Sequence, residues 1–91
     1  MDMIAVWLKI DGERVAETLR EAGGKLDRAD GEVLLDFSSV RRIDPSAIQE
    51  ITKLAATADE KGVKLTLRGV NVDVYKVLKL VNLTQKFSFL A

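Results

Sequence analysis

The chain predicts an α/β fold: a four-strand, mostly parallel sheet with three helices, in the order β-α-β-α-β-α-β. Three observations carry this reading. Short segments alternate apolar and polar residues, which is the period of a strand. Longer segments between them repeat apolar residues every three or four positions, which is the period of a helix. The links are short, so each strand returns through a helical crossover, and right-handed crossovers lay the strands parallel.

The first strand is expected from Met3 to Ile10. Ile4, Val6, Leu8 and Ile10 point one way, while Ala5, Trp7 and Lys9 point the other. Asp11-Gly12 ends it. Val15, Leu19, Ala22, Leu26 and Ala29 then form one helical stripe. Gly23-Gly24 interrupts that stripe, and each glycine costs roughly 1 kcal/mol against alanine, so the helix is expected to end or fray after Ala22. Val33 to Phe37 is short and almost wholly apolar, which suits a central strand covered on both faces. Ser38 to Ile43 is the connection.

A second helix is expected from about Pro45 to Lys61. Its apolar stripe is Ile48, Ile51, Leu54 or Ala55, and Ala58, and Gly62 stands just past its end. Val63, Leu65 and Leu67 alternate with Lys64, Thr66 and Arg68 in the third strand, which Gly69 closes. Asn71 caps a third helix, with Asp73 in its first turn and Val74, Val77, Leu78 and Val81 inside. Phe87, Phe89 and Leu90 form a short last strand.

Composition narrows function. Ninety-one residues read as one domain, 1–91, and 47% hydrophobic residues are ample for a core. The chain has no Cys and no His, which removes disulfides, thiolate metal sites, the Ser–His dyad and most zinc sites. Lysine plus arginine equals aspartate plus glutamate at 14 each, so no net basic field draws nucleic acid. No long apolar run marks a signal peptide or a membrane span, so no membrane insertion is expected, and a cytoplasmic location fits.

The richest stretch is Arg42-Ile43-Asp44-Pro45-Ser46-Ala47-Ile48, which puts a hydroxyl at the opening turn of a helix. Two local readings stand side by side. Asp44 caps with Pro45 at the first helical position, leaving Ser46 free, or Ser46 caps with Gln49 completing a Ser-x-x-Gln box. A helix N-terminus offers unpaired N–H groups and a positive dipole end to an anion, so Ser46 is also a candidate phosphorylation site. The partner surface is expected to centre on Asp44, Ser46, Gln49 and Glu50, with Ser38, Ser39, Arg41 and Arg42 beside them. This edge combines a loop, a helix start and clustered polar groups.

Asp36 supports the site by accepting N–H groups of the Ser38-Ser39 turn, or approaches Asp44 closely enough for the two to hold Mg²⁺. The first reading is the simpler, and neither a metal nor another cofactor is expected. Arg41-Arg42 forms a solvated pair or meets a carboxylate or phosphate. Trp7 either anchors an interface or covers the second face of the sheet.

Read together, Val33-Leu34-Leu35-Asp36-Phe37-Ser38, Arg42 to Ile48, the helix to Gly62, Val63-Lys64-Leu65-Thr66-Leu67, Gly69-Val70 and the Val77-Leu78-Lys79-Leu80 to Leu83 helix end resemble the STAS family. These are the domains of anti-sigma-factor antagonists and of sulfate-transporter tails. The family pattern at the site is apolar-Asp-Ser-Ser/Thr-Gly/Ala-apolar. Its second hydroxyl residue, the one phosphorylated, aligns with Ser46; Pro45 replaces the first hydroxyl, and Ala47 stands where glycine is common.

The resemblance implies a regulatory protein-interaction domain, not an enzyme. Its partner would be an anti-sigma factor with serine-kinase activity, with Ser46 the switch. Short STAS proteins also serve as constitutive adaptors on the ATPase subunit of lipid-trafficking ABC transporters or within signalling complexes. A nucleotide or small-molecule binder at the sheet's C-terminal edge is a further alternative, without a Gly-rich phosphate loop to support it.

Overall fold

A computed structural model describes residues 6–26 and 31–90. Within them the chain runs β1 (Val6–Lys9), α1 (Val15–Lys25), β2 (Glu32–Asp36), α2 (Pro45–Lys61), β3 (Lys64–Arg68), α3 (Val72–Leu80), a short 3₁₀ turn over Thr84–Lys86, and β4 (Ser88–Leu90). Met3, Ile4 and Ala5 of the expected first strand and Ala29 of the expected helical stripe lie outside the described residues.

The four strands form one sheet in the order β1-β2-β3-β4, all parallel. Register brings like side chains level. Val6, Val33 and Leu65 share one row, and Leu8, Leu35, Leu67 and Phe89 share the next. These rows face the helices. Val33, Leu35, Leu65 and Leu67 are buried, together with Leu19, Ala22, Ile51, Leu54, Ala58, Val74 and Leu78 from the helices. Burying this apolar surface is the main favourable term of the fold.

Strands placed in sequence order and joined by right-handed crossovers send every helix to the same face. β2 is therefore covered by helices on one face only, which corrects the expectation of cover on both. Leu34 is partly exposed there, and Trp7 is 56% exposed. The second face covers itself instead. The Arg68 guanidinium lies 5.5 Å from the Trp7 ring centre, and Thr66 donates to the Glu32 carboxylate at 2.9 Å.

α1 also departs from expectation. It continues unbroken through Gly23-Gly24 to Lys25, because its buried stripe is needed against α2. A side chain at Gly23 would stand 3.7 Å from Leu54, so this glycine lies on the helix–helix contact. The other ends fall where local chemistry puts them. Asp44 and Asn71 cap α2 and α3, and Gly62 follows α2 with φ +68°.

Candidate functional site

The site is built from the β2–α2 loop and the first turn of α2. The loop carries apolar residues at every third position, and Phe37, Val40 and Ile43 are all buried. These three plugs turn Ser38, Ser39, Arg41 and Arg42 outward to solvent. The sequence reading missed this spacing, although it is visible in the residues.

Three neighbouring segments clamp the loop. In the β1–α1 turn, a Cβ at Gly12 would lie 2.0 Å from the Ser39 carbonyl oxygen, so only glycine allows this approach. After β3, Gly69 has φ +72° and packs against Ser38, where a Cβ would meet the Ser38 Cβ at 3.0 Å. Asn71 uses both ends of its amide. Its Oδ1 accepts from the Val74 N–H at 2.8 Å, capping α3. Its Nδ2 donates to the carbonyls of Val40 at 3.2 Å and Arg41 at 2.9 Å. Sequence alone showed only the cap, since the two carbonyls lie some 30 residues away in the chain.

Asp36 anchors the loop's first residue. Its Oδ1 accepts the Ser38 N–H at 2.9 Å and lies 3.6 Å from the Arg68 guanidinium. Ser38, through its hydroxyl and then its N–H, holds the Asp36 carboxyl below the ordinary aspartate range, and Arg68 and Lys9 add to this. Burial pushes the other way and loses. Among the described residues, no three carboxylates gather into a group that could hold a metal ion.

At the helix start the choice between caps is decided. Asp44 accepts the Ala47 N–H at 2.8 Å, with Pro45 at the first helical position. Ser46 takes the second position, exposed, with no side-chain hydrogen bond among the described residues. Ala47 behind it is buried. Gln49 is exposed on the same side. Glu50 is placed otherwise: its carboxylate takes Arg20 of α1 at 3.1 Å, with Lys53 at 3.9 Å, and so belongs to the α1–α2 contact. Beside the loop, Asp11, Gly12, Glu13, Ser39, Arg41 and Arg42 line an open cleft of about 630 Å³.

This arrangement is a rigid polar edge with one uncommitted hydroxyl over a helix N-terminus. A family model described as "Mlab, STAS domain" matches residues 4–90. The chain belongs to the STAS domain family. No curated protein matches it. Among solved structures, a sulfate transporter family protein from Wolinella succinogenes superposes with a TM-score of 0.79 at 18% identity, covering 98% of this chain and 80% of that one. A candidate anti-sigma factor antagonist from Thermotoga maritima gives 0.74 at 20%, covering 97% and 81%. The STAS domain of a SulP transporter from Vibrio cholerae gives 0.72 at 16%, covering 100% and 77%. At these identities the likeness is one of fold. Among the described residues, no helix is long and apolar enough to cross a membrane.

Proposed function

We propose that this STAS domain works by docking a protein partner on the first turn of α2 and the loop before it, and that phosphorylation of Ser46 switches the docking. The observation that carries this reading is the division of labour at the helix start. Asp44 does the capping, so Ser46 keeps an exposed hydroxyl. A phosphoryl group there adds close to −2 charge. The helix dipole favours it and the Asp44 carboxylate opposes it, so the effect is a change of field on the docking face, not a refolding.

The likeness to a candidate anti-sigma factor antagonist supports an anti-sigma factor or serine kinase as partner. A second reading rests on the family's description and on the transporter neighbours. In it the domain is a constitutive adaptor on a transporter ATPase, and Ser46 is only a short side chain that lets the partner approach. Catalysis is no part of either reading: without His or Cys the chain lacks the commonest general base and the thiolate nucleophile.

The test is calorimetric titration of a kinase-like or transporter ATPase encoded beside this gene, using wild type, Ser46→Ala and Ser46→Asp. A switch requires Ser46→Ala to bind like wild type and Ser46→Asp to bind at least tenfold differently. One desolvated charge at an interface centre is worth about 2–5 kcal/mol. Equal affinities for three folded proteins would establish the constitutive adaptor instead.

A further inference from the structure

The described residues include six large apolar side chains that are exposed, and five of them belong to α3, its C-cap and β4, at the β4 end of the sheet order. Val72, Tyr75 and Leu80 are on α3, Val81 is its C-cap, and Leu90 ends β4. Leu80 is 81% exposed and Val72 67%. Meanwhile Val74 and Leu78 of the same helix are fully buried in the core. The outer side of α3 thus sets exposed apolar side chains, Val72 and Leu80, beside its charged residues, and among the described residues nothing covers them.

The apolar surface is also hollow. Val70, Asn71, Val72, Tyr75, Phe89 and Leu90 line a groove of about 310 Å³ between the start of α3 and β4. Its aromatic floor is fixed: the Tyr75 and Phe89 rings meet edge-on at 5.3 Å, and Phe89 meets Phe87 in the same way at 6.5 Å. Two exposed cations, Lys76 and Lys79, share the outer side of α3 with Val72 and Leu80, and neither makes an ion pair among the described residues. Asp73 is the helix's single acidic residue.

We infer that the hollow between α3 and β4 is a docking groove for an acidic segment of a partner protein, which inserts one bulky apolar side chain against Tyr75 and Phe89. The uncommitted lysines supply the complementary charge, and the rigid aromatic floor supplies an anchor pocket of the kind that dominates interface energies. A second copy of the chain is the competing occupant, and the oligomeric state separates it from an acidic segment. A bilayer fits less well because it meets protruding apolar groups, whereas Val72, Tyr75 and Leu90 line a concavity. The groove is separate from the Ser46 turn, so the inference does not depend on how that turn is used.

The probe is a display library of random twelve-residue peptides, selected on the wild-type protein. Selected peptides are expected to carry Asp or Glu around a Phe, Leu or Trp and to shift backbone amide resonances of residues 70–80 and 87–90. They should lose about tenfold in affinity to Val72→Asp and to Lys76→Glu. Both changes are on exposed positions, and Asp suits the first turn of a helix, so circular dichroism should stay unchanged. A basic or charge-free consensus, or shifts confined to residues 38–50, would overturn the assignment. Sedimentation as a dimer that Leu80→Asp dissolves would replace it with self-association. Binding to vesicles of anionic phospholipid that Leu80→Asp abolishes would replace it with a membrane surface.

Discussion

Ser46 and Asp44 compete for the N-cap position of α2, and the geometry of proline settles the competition. Pro45 at the first helical position has no N–H to satisfy and fixes the entry of the chain, which leaves Asp44 in the extended conformation of a cap. Asp44→Ala is therefore expected to lower stability by about 1 kcal/mol, while Ser46→Ala should change it by less than about 0.5 kcal/mol. Urea denaturation of the two variants checks the difference; equal losses would mean that both residues cap. Asp36 makes a second, pH-dependent case. Its carboxyl titrates below the ordinary aspartate value of 3.8 in the folded chain. A depressed carboxyl contributes stability that is fully present above its unfolded pKa and is lost as pH falls through the folded one. The advantage of wild type over Asp36→Asn should thus be greatest near neutral pH and shrink steadily below about pH 4. Denaturant titrations at a series of pH values would show it, and a constant gap would place the contribution of Asp36 in packing instead of charge.

At the scale of elements, the residues announced beginnings and ends wherever a side chain acts on its own backbone. Pro45, Asn71 and Gly62 mark boundaries of α2 and α3 because caps and left-handed ends are local chemistry. Gly23-Gly24 misled because helix propensity is also local, whereas α1 is held by tertiary contact with α2 through Leu19, Ala22 and the Arg20–Glu50 pair. The two glycines differ in consequence. A Cβ at Gly24 would meet nothing within 4 Å, and its backbone is helical. Gly24→Ala should therefore stabilise the protein by about 0.5–1 kcal/mol, by restricting the unfolded chain and favouring the helix. A raised urea midpoint with an unchanged slope is the expected result. A loss of stability would show that α1 needs to bend at that point.

Across the whole molecule, sequence order becomes spatial order, and this decides what could be read in advance. Parallel strands in the order one to four put every strand-to-helix loop at one edge of the sheet. The motif around Ser46 was legible because its residues are contiguous. What holds it was not, because Gly12, Gly69 and Asn71 reach Ser38 to Arg41 from loops separated in the chain. That helices cover only one face was likewise hidden, since Leu34-Leu35 reads the same whether one or two layers cover it. The clamp makes a prediction that separates folding from site order. Asn71→Asp keeps an oxygen to cap α3 but loses the two N–H donors to Val40 and Arg41, and sets a carboxylate against their carbonyls. Global stability should fall little, since the cap survives. The loop itself should open more often. Two lost hydrogen bonds at about 0.5–1 kcal/mol each correspond to roughly 5- to 30-fold faster amide exchange, seen at residues 38–43 and not in β2 or β3. Gly24→Ala serves as the control, because it should slow exchange governed by global unfolding without touching the loop. If exchange at 38–43 in Asn71→Asp matches wild type, the edge is rigid through its buried Phe37, Val40 and Ile43 alone, and Asn71 matters only as the cap of α3.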